Sequence, residues 1–121
     1  MSTTNVTVRR RPLRFNLPGA YIASASLPRT NMFRANLAGA NCTRADFSDA
    51  RMGEANLRAA ILVKANLQRV DFDGADLTRA DLSGADLTGA VNLTEEQICS
   101  AIVDDETKLP YLLDRRDRER T

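Results

Sequence analysis

The amino-acid sequence predicts an all-β solenoid, a chain that winds around one axis by repeating a short extended unit. Three observations predict it. From Phe15 to Gly89 the chain divides into 15 consecutive blocks of five residues without an insertion. The central residue of each block is apolar in all 15, and the residue two before it is Ala in 12. The residue between them is Asn or Asp in 11 blocks. We name the five positions lead, flank, centre, first corner and second corner, so that Ala75-Asp76-Leu77-Thr78-Arg79 is one block.

A period of five fits no ordinary element. On an α-helix five residues advance about 140° beyond a full turn, so the centres would spiral over every face. On a continuous strand an odd step sends alternate centres to opposite faces. Lead and centre are two residues apart, however, and on a short extended segment they point the same way. The corners, often Ser, Thr, Gly, Arg or Asp, then turn the chain. Repetition of that unit keeps Ala and Leu inside and the flanks outside. With aromatic residues at only 5% and no Trp, Ala and Leu must supply the packing.

The blocks Ala75–Arg79, Ala80–Gly84 and Ala85–Gly89 (ADLTR, ADLSG, ADLTG) resemble the A(D/N)LXX motif of the pentapeptide repeat family. That resemblance implies a right-handed quadrilateral β-helix in which four blocks make one coil, about four coils in all, with a short C-terminal α-helical cap. Stacked strands lie about 4.8 Å apart, so the rod is roughly 18 Å long. The 20-residue coil sorts the centres into four columns: Leu17/Leu37/Leu57/Leu77, Ile22/Cys42/Leu62/Leu82, Leu27/Phe47/Leu67/Leu87 and Met32/Met52/Phe72. Outward charges align as well: Arg29 with Asp49 and Arg69, Arg34 with Glu54, and Arg51 with Asp71.

Both ends of such a rod expose strand edges and need covering. After Ala90 the repeat stops, and Thr94-Glu95-Glu96-Gln97 reads as a helix start with a capping box. Ile98, Ala101 and Ile102 share one face of that helix, which covers the last coil with Cys99 beside it. Thr107-Lys108-Leu109-Pro110 resembles the ending of many bacterial pentapeptide repeat proteins. Four segments follow: 1–14, a basic segment that is either flexible or a capping strand through Val6 and Val8; 15–90, the β-helix; 91–113, a capping helix and loop; and 114–121, a charged tail.

Composition narrows the chemistry. The 121 residues carry 17 Lys plus Arg against 16 Asp plus Glu, a net charge of +1, which does not suit a nucleic-acid binder. There is no His, the commonest general base and metal ligand. Cys42 and Cys99 fit no metal spacing, and Cys42 sits in a core column. Asp71, Asp73, Asp76, Asp81 and Asp86 form an acidic string, but successive sides of a coil aim them apart, and no EF-hand spacing is present. No catalytic group, cofactor or metal is expected. No stretch approaches the roughly 18 apolar residues of a membrane span. Arg9–Arg11 are followed by Pro12-Leu13-Arg14 rather than an apolar run, so the chain is expected to start at its own Met1 and to be cytoplasmic.

One side departs from the polar pattern. Blocks 20–24, 40–44, 60–64 and 80–84 stack on it, and its outward residues include Tyr21, Ala23, Ile61 and Val63, with Arg44 and Lys64 beside them. An apolar patch with basic neighbours marks a protein-partner surface; packing of the chain's own termini is the other use of that side. Outward Phe33, Pro18 and Pro28 on the first coil fit the latter.

Two functional classes follow. The first is a non-catalytic interaction or scaffold module, binding a protein through that side. The second rests on the resemblance alone, since some pentapeptide repeat proteins protect DNA gyrase from quinolones by imitating duplex DNA with an acidic rod. Residues 15–90 here carry eight acidic and eight basic side chains, so this rod is neutral. The resemblance also implies a homodimer through the C-terminal segment, with Tyr111, Leu112 and Leu113 as its apolar contact. The same three residues could instead fold back onto the capping helix.

Overall fold

The computed structural model describes residues 14–114. The readings made for 1–13 and for the tail beyond Asp114 lie outside the described residues. Parallel bridges join each flank to the flank 20 residues on, from Asn16 with Asn36 through Asn66 with Asp86 and Asp71 with Val91. Every bridge is a single residue, because the corners follow at once.

The backbone hydrogen bonds account for almost every amide of a block. The lead N–H closes a turn on the preceding centre, as from Ala60 to Leu57 C=O at 3.0 Å. The flank N–H donates to the coil before, as from Ile61 to Ala40 C=O. The centre and second-corner N–H groups donate to the coil after, as from Leu62 to Asp81 C=O and from Lys64 to Ser83 C=O. One amide is left over, at the first corner. It donates to the Oδ1 of the block's own flank in ten blocks, for example Ala38 to Asn36, Ser48 to Asp46 and Thr88 to Asp86. The preference for Asn or Asp at the flank therefore has a mechanism: a short side chain with an acceptor two residues before the amide, an Asx turn. Asn16 is the eleventh such flank, and its first corner is Pro18, which has no N–H.

All 15 second corners have positive φ, five as Gly and ten as other residues between 54° and 61°. A four-residue turn closed by an N–H to C=O bond, with positive φ at its third residue, is type II, which takes Pro well at the second. Pro18 and Pro28 occupy that second place. Their outward position follows from this local requirement. Phe33 likewise has a partner: its ring lies over buried Gly53, where an added Cβ would come within 3.1 Å of it, and the Arg34 guanidinium sits 5.2 Å from its centroid.

Leads and centres from Met32 to Ala90 are buried and form one continuous core. Cys42 belongs to it, and burial pushes its thiol up to about 11. The charge columns form in part. Arg34 meets Glu54 at 2.8 Å and Arg69 meets Asp49 at 2.8 Å, both exposed pairs that solvent screens and that add little to stability. Arg51 and Asp71 do not pair. Asp71 instead accepts from the Asn92 side chain at 3.0 Å and from the Asp73 N–H.

Helix α1 spans Glu95–Ser100, with Thr94 and Gln97 forming the capping box. Ile102 is not on it, contrary to the sequence expectation. The chain leaves the helix at Ala101, and Ile102 bridges Asp81, donating to Ala80 C=O and accepting from Leu82 N–H. Two unpaired groups on the last coil outweigh one more helical residue. Lys108 repeats the arrangement on Asp86. Tyr111–Leu113 form a 3-10 turn.

Leu62 is fully buried at the middle of its column. Leu62→Ala is expected to lower the unfolding free energy by about 2–5 kcal/mol, read from urea denaturation. A loss below 1 kcal/mol would show that the coils close over the gap.

Candidate functional site

The candidate side is held by bridges that run Tyr21–Asn41–Ile61–Asp81–Ile102. Asn41, Ile61 and Asp81 are each bridged on both sides, so the middle of this side is held by backbone pairing above and below. Beside this column runs the first-corner column Ala23, Thr43, Val63 and Ser83, and beyond it the exposed second corners Arg44 and Lys64.

The structure brings Ile61 and Val63 together but interrupts the apolar patch. Asn41 lies between Tyr21 and Ile61, so those two are two strand spacings apart, roughly 9.6 Å. Tyr21 is 78% exposed and Ile61 38%, while Val63 is half-buried. The Lys64 stem lies along Gly84, where an added Cβ would come within 3.0 Å of its Cγ, and this directs the ammonium toward the C-terminal loops.

Four flanks are neither Asn nor Asp: Tyr21, Ser26, Arg51 and Ile61. Ser26 precedes Pro28, whose ring nitrogen needs no acceptor. Of the remaining three, two lie on this one side. In the coil between them Asn41 accepts from the Thr43 N–H at 3.1 Å and from its hydroxyl at 2.7 Å. Tyr21 and Ile61 forgo that acceptor, and a hydrogen bond of this kind contributes about 1 kcal/mol.

Ile102 extends the same column at 50% exposure and was not found from the sequence. Ile61 and Ile102 are 41 residues apart, so the period of 20 had already slipped by one and no fixed spacing pointed to it. Of the three residues read as a C-terminal contact, Leu113 is half-buried and lines a cleft with Ile98 and Leu109. Tyr111 and Leu112 face outward, 74% and 78% exposed. Cys99 is exposed on the same cleft. Among the described residues no group of His, Cys, Asp or Glu could hold a metal ion, and no helix is long and apolar enough to cross a membrane.

The family model for pentapeptide repeats matches residues 16–53 and 50–89, in eight copies. Among solved structures the chain is similar to HetL, a pentapeptide repeat protein involved in heterocyst differentiation regulation in the cyanobacterium Nostoc sp. strain PCC 7120. The two are 31% identical with a TM-score of 0.62, over 64% of this chain and 32% of HetL. The chain thus spans about a third of HetL's length. A thylakoid-lumen pentapeptide repeat protein of Arabidopsis thaliana is 20% identical, with a TM-score of 0.41 over 77% of this chain and 60% of its own. QnrB1, a plasmid-mediated fluoroquinolone resistance protein, is 15% identical with a TM-score of 0.24 over 87% and 96%. Comparison with curated protein sequences gives no match.

The flank carboxylates give the fold an acid limb. The Ser48 N–H and hydroxyl hold Asp46 below its ordinary value of 3.8; the Asn92 amide and Asp73 N–H do so for Asp71, and the Thr78 hydroxyl and N–H for Asp76. A carboxylate with a depressed folded pKa stabilises fully above its unfolded value and loses that contribution as pH falls through the folded one. Stability should therefore be level above about pH 5 and decline below the unfolded value of 3.8. Replacing Asp46, Asp71 and Asp76 together by Asn keeps the acceptor oxygen and should flatten that decline in circular dichroism. An unchanged acid limb would refute the assignment.

Proposed function

The chain belongs to the pentapeptide repeat family, and from that premise we propose that it is a non-catalytic module that binds a protein partner through the Tyr21–Ile61–Ile102 side of its rod. The observation that carries this reading is the flank at Ile61. The block 60–64 gives up the side-chain acceptor that ten other blocks use, and places an exposed β-branched residue there instead. A position that breaks the rule most of the fold obeys is where function is expected. Val63 beside it and the cations Arg44 and Lys64 at the corner suit a partner with an apolar ridge and acidic rim. The rigid ladder beneath means that little conformational entropy is lost on binding.

The alternative, imitation of DNA toward gyrase, calls for an acidic rod. The equal count of eight acidic and eight basic side chains over 15–90 gives no support to it. Purified protein is expected to leave quinolone inhibition of gyrase supercoiling unchanged.

The test uses Ile61→Asn with Val63→Thr. This variant makes block 60–64 resemble block 40–44, whose Asn41 and Thr43 show the bonding it would adopt. The gained hydrogen bond offsets the lost apolar burial, so stability should stay within about 1 kcal/mol of wild type. Affinity capture from lysate of the source cells should retain a protein on the wild type and lose it on the variant. Equal retention by both would remove the site from this side, and retention by neither would remove the module reading.

A further inference from the structure

The near-zero net charge hides a separation along the rod. The first 45 residues carry seven Arg and no Asp or Glu, the first acidic residue being Asp46. Residues 71–114 carry eleven Asp or Glu against Arg79 and Lys108 alone, and residues 115–121 return only two net positive charges. Among the described residues Arg14, Arg29 and Arg44 form no ion pair, whereas Arg34 meets Glu54.

Apolar surface gathers at the same two ends. Leu17, Ile22 and Leu27 are centres of the first coil yet only half-buried, while the centres of the next coil above them are fully buried. The flank N–H and C=O groups of Asn16, Tyr21, Ser26 and Asn31 face the direction in which every later coil meets its predecessor, and no coil precedes them among the described residues. At the other end, the cap holds a cleft of about 320 Å³ with Ile98, Val103, Leu109 and Leu113 in its lining and Glu95 and Asp114 on its wall. Exposed Tyr111 and Leu112 stand next to it.

We propose that copies of this chain associate head to tail, the basic N-terminal end of one copy seating on the acidic, apolar cap of the next. Charge decides between this and a symmetric dimer. A two-fold contact through Tyr111 and Leu112 would set two acidic caps against each other, whereas a heterologous contact sets opposite charges together. The contact leaves one free end of each kind, so association continues past two copies. It does not involve Ile61 or Val63, which lie on the side of the rod, and it stands or falls separately from the partner reading.

Sedimentation velocity of the full chain tests it. At about 0.01 M salt the Debye length is roughly 30 Å, and at about 1 M it is roughly 3 Å. The mean mass should rise with concentration beyond that of a dimer at low salt and return to the monomer at high salt. Arg14→Glu with Arg29→Glu disables the basic end, and Tyr111→Ser with Leu112→Glu disables the cap. All four residues are exposed, so circular dichroism should be unchanged. Each variant should be monomeric, and an equimolar mixture of the two should form a dimer and nothing larger, because each retains one working end.

A wild type that is monomeric at low salt would overturn the proposal. So would one that stops at a dimer lost only in the cap variant, or a mixture that stays monomeric. An end covered by the chain's own residues 1–13 would give a monomeric wild type that associates only after their removal, which also overturns it for the full chain.

Discussion

The fold depends on finding a partner for the first-corner amide. In an interior block such as 40–44 or 60–64 the backbone pairs four N–H groups unaided: one within the turn, one with the coil before and two with the coil after. The fifth projects outward at the corner, where no neighbouring strand can reach it. An Asn or Asp two residues earlier supplies the acceptor at 2.9–3.1 Å. The repeat motif is thus two requirements in one block: Ala and Leu to fill the axis, and a short polar side chain to complete the turn. Single-residue bridges would be marginal alone, but each block shares its bonds with the coils on either side, as one-dimensional stacking requires.

The same accounting explains how the rod ends. At the C-terminus the last coil offers groups that a following coil would have met, and the chain meets them with whatever is near. Gln97 Nε2 donates to Phe72 and Ala75 C=O at 2.9 and 3.0 Å, Asp104 Oδ1 accepts from the Gly84 N–H, and the Thr107 hydroxyl donates to Leu82 C=O. Gln97 therefore closes both the helix and the β-helix. Ile102 and Lys108 bridge the last coil after spacers that no longer follow the period. The first coil has no such arrangement among the described residues, which is why three of its four centres, Leu17, Ile22 and Leu27, are only half-buried.

This regularity is given up at particular places. Ile61 and Tyr21 each replace an acceptor with apolar surface on one side, and the two ends divide the charge that cancels in the total. A solenoid suits such division, because side and ends can be altered without disturbing the axis. The cost is local: an amide without its usual acceptor, or an end without its own coil.

The sequence by itself determined the repeating unit, the identity of the core and the capping box, because each depends on residues no more than five apart. It also singled out Tyr21, Ile61 and Val63, since departures from a strict period stand out. Only the tertiary structure decided the corners. Arg, Lys, Asp and Glu at second corners give no local sign of positive φ, yet all ten non-Gly residues there adopt it, because the N–H they aim at the next coil outweighs the strain. The same holds for Ile102: its helical spacing from Ile98 was legible, but the open edge beside Asp81 was not, and pairing two backbone groups across 21 residues prevailed over local pattern. What a residue does through its own block can be read along the chain, whereas what it does for the coil above exists only once the chain has wound back upon itself.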